Sequence, residues 1–71
     1  PNPARDFITI QGDAEFTEII IYDLLGNEVI KRKLNSDSKI SINISMLPDG
    51  LYFYNALGKN NKSSGKFVVK H

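Results

Sequence analysis

The stretch "KISINIS", residues 39–45, constrains the fold more than any other part of the sequence. Ile40, Ile42 and Ile44 alternate with polar residues, so a β-strand would place all three on one face. Strict alternation of this kind is typical of a strand with one buried face. The run "FITIQ" at residues 7–11 repeats the pattern, and no segment of ten residues has a convincing helical period. We therefore predict an all-β fold.

Further strand-like runs follow turn signals. The run Glu18–Leu25 has apolar residues on both faces, which is typical of a central strand or of one that crosses between sheets. The short connection Leu25-Gly26-Asn27 predicts a hairpin with the next run, Glu28–Leu34. The polar stretch Asn35–Ser38 predicts a loop.

The last two strands are predicted at Leu51–Leu57 and Gly65–His71, joined by a flexible connection over residues 58–65. Short strands at this spacing predict a small antiparallel immunoglobulin-like β-sandwich of six to seven strands. At 71 residues the chain holds one domain, residues 1–71, and because it starts abruptly at Pro1 without Met, we interpret it as a fragment of a longer protein. Without cysteine, packed aliphatic side chains must stabilise it.

The composition argues against several function classes. The net charge is +1, and the basic cluster Lys31-Arg32-Lys33 lies in an alternating segment that would divide it between two faces, unlike a nucleic-acid interface. No apolar run approaches the ~20 residues of a membrane span. The single histidine, His71, is expected to be frayed, and the carboxylates are scattered. We expect no catalytic residues, no metal and no cofactor, and therefore no enzyme.

The segment "MLPDGLYFYN" places two tyrosines directly after a tight turn, Pro48-Asp49-Gly50. In immunoglobulin-like sandwiches a tyrosine near the start of a late strand donates a hydrogen bond back across the preceding turn. Tyr52 fits this role, with Tyr54 as an inward core residue and Gly50 allowing close passage of the chain. The alternative is an exposed aromatic platform for sugar or peptide.

Several motifs in their order resemble a known family. The chain begins "PNPARDFITI", continues with "IIIYDLLGNEV" and "ISINISMLPDGLYFY", and ends in "GKFVVK". This order resembles the type A C-terminal sorting domain of the type IX (Por) secretion system of Bacteroidota, over essentially the whole chain. One departure is His71, which follows Lys70 where the family often ends in a basic residue. The matching structural positions are Pro1, Pro3, Tyr22, Asp23, Gly26, Leu47, Gly50 and Tyr52.

The resemblance implies a non-catalytic sorting signal for a covalently linked upstream cargo. The cargo would cross the periplasm, be recognised by the outer-membrane secretion machinery, and reach the cell surface or the exterior. In the family a sortase-like peptidase commonly removes the domain while the cargo is attached to the surface. From the charge distribution and the lack of a long apolar run, we expect no nucleic-acid partner and no transmembrane segment.

We hypothesise that the terminal strand is the recognition element, because a sheet edge offers backbone groups for strand addition. Following a flexible loop, this strand could detach or pair with a receptor at low cost. The plainer interpretation is that Phe67 and Val69 complete the core while Lys66 and Lys70 keep the edge soluble. The residues of the hypothesis are Gly65, Lys66, Phe67, Val68, Val69 and Lys70.

An immunoglobulin- or fibronectin-like accessory module, or a carbohydrate-binding one, is the alternative function. Such a module can lie inside a polypeptide, whereas a sorting signal must end one. Carbohydrate modules also present coplanar exposed rings. By alternation, we expect the candidate rings to be mostly core-bound: Phe7, Phe16, Tyr22 and Tyr54.

Overall fold

The computed structural model describes residues 6–71, apart from the side chains of residues 12–14 and 37. The positions Pro1 and Pro3 of the family motif lie outside the described residues. Antiparallel hydrogen bonding joins four strands in the order β2-β1-β3-β4. Their bounds are β1 Phe7–Tyr22, β2 Glu28–Asn43, β3 Gly50–Leu57 and β4 Lys62–Val69.

The two long strands bend, and the bend produces a sandwich. The ladder between β1 and β2 shifts register at three places, and two of them lie close together, between Gln11 and Phe16 and between Phe16 and Glu18. Such bulges turn a strand sharply. Residues 7–11 and 39–43 therefore form a small covering layer, which packs on the main layer made by residues 18–22, 28–33, β3 and β4. Six strand segments in two antiparallel layers confirm the predicted all-β sandwich.

The core lies between these layers and is built from the inward face of each strand. The three isoleucines of "KISINIS" are buried, as the alternation predicts, and so are Ile19 and Ile21 of the central strand. Among the described residues no polar or charged side chain is buried. The core members are Ile8, Ile10, Phe16, Ile19, Ile21, Ile40, Ile42, Ile44, Tyr52, Ala56, Phe67 and Val69.

Two predicted connections are wrong. Asn35–Ser38 is not a separate loop, because β2 runs through it and takes the bend there, with Ser36 in the left-handed region at φ 57°. The predicted connection over residues 58–65 is shorter, because β4 already begins at Lys62. Both errors have one cause: polar residues at a bend or at an exposed strand end look like a loop in sequence, although the backbone remains paired.

Candidate functional site

Tyr52 fixes the turn that precedes β3. Its hydroxyl donates a hydrogen bond to the carbonyl oxygen of Pro48 at 2.7 Å, which is the contact expected of a tyrosine corner. The ring is buried and stacks on Phe67 of β4, with 5.7 Å between ring centroids and 21° between planes. Burial raises the pKa of the Tyr52 phenol above its ordinary value of 10.0, and the charges of Asp23 and Asp49 add to the rise. Tyr52 is therefore a structural residue.

Asp23 organises the hairpin between β1 and β2. Its Oδ1 accepts the backbone amides of Leu25 and Asn27 at 3.0 and 2.8 Å, and its Oδ2 accepts the Asn27 side-chain amide at 3.3 Å. Gly26 takes the left-handed φ of 88° that such a turn requires. The backbone amide of Asn27 is the main reason why the pKa of Asp23 lies below its ordinary value. The predicted hairpin is confirmed, and Asp23 stabilises its turn by accepting these hydrogen bonds.

His71 is not frayed. Its backbone amide donates to Asp49 Oδ1 at 3.0 Å, and its ring Nε2 lies 2.8 Å from the carbonyl oxygen of Leu47. The terminal residue is thus held against the same turn that Tyr52 locks. The expectation of a frayed His71 was wrong because its partners lie in a distant segment of the sequence, and the sequence alone does not show that they are in contact.

One end of the sandwich gathers these features, and we call it the loop end: the hairpin at residues 23–27, the turn at residues 44–50, and residues 70–71. The first described residue is there too, because the Ile44 amide donates to the Asp6 carbonyl at 2.8 Å. Both loops expose apolar side chains, namely Leu24, Leu25 and Met46. A shallow groove of about 270 Å³ lies between the hairpin and the Gly50–Tyr52 segment. The family motif residues of both segments therefore meet at this end.

The hypothesised recognition strand forms one edge of the main layer. In the described part of the chain β3 is the neighbouring strand of β4. Phe67 and Val69 are buried in the core, whereas Lys66 and Lys70 are exposed, as in the plainer interpretation of the strand. Detachment would expose two core side chains, each worth ~1.5–3 kcal/mol of burial, so detaching the strand is costly.

Packing explains why position 65 is a glycine. A Cβ added there would lie 2.6 Å from the ring of Tyr54, the residue paired with it on β3. Tyr54 therefore lies across the glycine and packs against the core, as the inward position predicts. A cleft of about 340 Å³ opens beside this pair, between the first half of β1 and β4, lined by Ile8, Ile10 and Phe67 among others.

The predicted locations of the aromatic rings are partly wrong. Phe16 is buried and Tyr54 packs on the core, but Phe7 is 54% exposed, on the outer face of the covering layer. Tyr22 is half-buried on the outer face of the main layer. There it pairs with Phe53, 38% exposed, which the sequence analysis missed although alternation with inward Tyr52 points it outward.

Among the side chains that the structure describes, no group of three or more His, Cys, Asp or Glu residues could hold a metal ion. The basic cluster of β2 is exposed throughout, and Lys31 forms an ion pair with Glu18 at 3.8 Å. No helix in the described part of the chain is long and apolar enough to cross a membrane.

Comparison with protein families shows which family the chain belongs to. The family described as "Secretion system C-terminal sorting domain" matches residues 1–70. The chain belongs to this family, the type IX C-terminal sorting domains, which carry a sorting signal and are not a catalytic family. As a sorting domain it passes through the periplasm to the cell surface or the exterior, together with its cargo.

The chain is also similar to a curated protein, an endo-acting ulvan lyase of Formosa agariphila. The two are 36% identical over 72 residues, a match that covers 99% of this chain. The chain spans 14% of that relative's length, so the similarity concerns a small part of the lyase. No solved structure matches this chain significantly.

Proposed function

We propose that residues 1–71 act as one sorting domain that directs a covalently linked cargo through the type IX secretion system. The observation that carries the proposal is the family match over residues 1–70. The fold supports the proposal because the motif residues Asp23 and Tyr52 hold turns of the domain through hydrogen bonds. The domain itself has no enzymatic activity in this proposal, and the activity belongs to the cargo.

The proposed recognition segment is the edge strand from Gly65 to Lys70. Strand addition to a sheet edge, with outward side chains selecting the partner, is a known mode of recognising an extended segment. Lys66 and Lys70 are the exposed charged side chains of this segment. After export, a sortase-like peptidase removes the domain and the cargo is attached to the surface.

The test is an export assay in a bacterium with a type IX system. Residues 1–71 are fused behind a fluorescent reporter that carries a signal peptide. Export of the unmutated fusion supports the sorting function, and its retention in the periplasm contradicts it. Deleting the last strand would be uninformative, because the loss of Phe67 and Val69 from the core would unfold the domain.

The recognition segment is therefore tested with substitutions that spare the core. The variant Lys66→Ser with Lys70→Ser changes only exposed side chains of the segment. The matched control, Lys39→Ser with Lys59→Ser, removes the same charge from exposed positions elsewhere. If only the first variant is exported less, the result supports Gly65–Lys70 as the recognition segment. Equal export of both variants shows that these two side chains are not the signal.

A further inference from the structure

The outer face of the main layer is unusual for the exposed side of a sandwich. Outward positions of a two-layer sheet are expected to be polar. Here the centre of the face is apolar: Tyr22 and Phe53 lie opposite each other on β1 and β3, with Ile20 and Leu51 beside them. None of these four belongs to the core cluster.

The covering layer provides an internal comparison. Its outer face is polar apart from Phe7, with Thr9, Gln11, Lys39, Ser41 and Asn43 at the other outward positions. Both layers obey the same alternation, and both bury their inward residues in the same core. The need for a core therefore does not explain why only the main layer has an apolar outer face.

Lysines flank the apolar centre on both sides. Lys31 and Lys33 of β2 lie opposite Ile20 and Glu18, and Lys62 and Lys66 of β4 lie opposite Leu57 and Phe53. Glu18 and Glu28 are the acidic residues at the paired outward positions, so the face is net positive. Glu18 forms an ion pair with Lys31, whereas the described residues provide no such partner for Lys33, Lys62 or Lys66.

We propose that this outer face is a docking surface for a partner protein that places carboxylate side chains around an apolar or aromatic centre. An apolar centre containing aromatic rings within a charged rim is the usual anatomy of a protein interface. Unpaired lysines on the rim would steer and orient an acidic partner. A second copy of this face would bring lysines against lysines, so the charge disfavours self-association.

The inference rests on the proposed function and deepens it, because it gives the chemistry of the component that contacts the domain. It also enlarges the surface beyond the edge strand. Lys66 lies on this face, but the apolar centre belongs to β1 and β3, and half of the basic rim belongs to β2.

The first part of the test uses two exposed phenylalanines that lie on opposite layers. In the reporter fusion of residues 1–71, Phe53→Ser should lower export by about tenfold, as loss of an interface centre does. Phe7→Ser removes a ring that is more exposed and should leave export unchanged. Both variants are compared by thermal melting, and equal export of the two at equal stability would overturn the proposal.

The second part tests the carboxylates. A water-soluble carbodiimide joins a lysine amine directly to a carboxylate that it contacts. It is applied to the purified fusion incubated with outer membranes from the same bacterium, and coupled peptides are identified by mass spectrometry. The proposal predicts protein adducts at Lys33, Lys62 and Lys66, and none at Lys39, which lies on the covering layer.

Adducts at Lys39 as frequent as those at the face would overturn the proposal. So would binding to phosphatidylglycerol vesicles that Phe53→Ser and Lys33→Glu abolish, since the face would then recognise an anionic membrane. Retention of the unmutated fusion would contradict the sorting function alone, because the adduct pattern is measured without export.

Discussion

The hydroxyl of Tyr52 provides the sharpest test of how this fold is held together. Tyr52→Phe keeps the ring, its burial and its stacking on Phe67, and removes only the hydrogen bond to the Pro48 carbonyl. A single buried hydrogen bond contributes ~0.5–1.5 kcal/mol net. Pro48 itself is exposed, so water can replace the lost donor and limit the cost. We expect the free energy of unfolding to fall by about 1 kcal/mol, or the melting temperature by ~4–8 °C.

Urea denaturation followed by circular dichroism measures this difference, and the m-value should not change because the buried area is the same. Tyr22→Phe is the matched control, since the described residues offer no hydrogen-bond partner to the Tyr22 hydroxyl, and it should change stability by less than ~0.5 kcal/mol. If both variants lost the same free energy of unfolding, the hydrogen bond of Tyr52 to the Pro48 carbonyl would have no stabilising role. Because the pKa of Tyr52 is raised in the folded state, wild-type stability should also fall as pH rises above 10.0, less steeply in Tyr52→Phe.

Three further predictions follow from named contacts. Asp23→Ala should lower the melting temperature at pH 7, and the difference should shrink as pH falls below 3.8 and through the lower pKa of the folded state, where the carboxylate that accepts the hairpin amides becomes protonated. Gly65→Ala should destabilise the domain by ~1–3 kcal/mol in urea titrations, and pairing it with Tyr54→Ala should remove the added cost because the obstructing ring is gone. Phe67→Ala should cost ~3–5 kcal/mol and leave the domain largely unfolded by circular dichroism.

The sequence predicted the fold where side-chain alternation decides it. Ile40, Ile42 and Ile44 alternate without interruption, and all three are buried. The prediction failed where a strand continues through a polar segment. Ser36 is the example, because its positive φ marks the bend of β2 rather than a loop. The predicted position of Phe7 failed for a related reason: "FITIQ" offers two possible faces, and only the packing of the bent strand selects Ile8 and Ile10 as the inward pair.

The surface was harder to predict than the core, because a surface is a property of several strands at once. No local pattern reveals that Tyr22 and Phe53, 31 positions apart, face each other across two strands. The same limit applied to His71, whose partners Leu47 and Asp49 are known only once β4 is placed beside β3. Each of these pairings depends on register, and register follows from the bulges and turns of the whole sheet.

These contacts give the motif residues and the surface residues different roles. The motif residues whose side-chain and turn contacts are described act within the domain: Asp23 accepts hairpin amides, Gly26 supplies a left-handed φ, and Tyr52 holds the Pro48 turn. A residue whose polar atoms are engaged inside the fold has little left to offer a receptor. Motifs that identify the family therefore specify the shape of the loop end. This is the reason for proposing that recognition depends on residues that the shape presents, and among them on the exposed rings and unpaired lysines of the main layer.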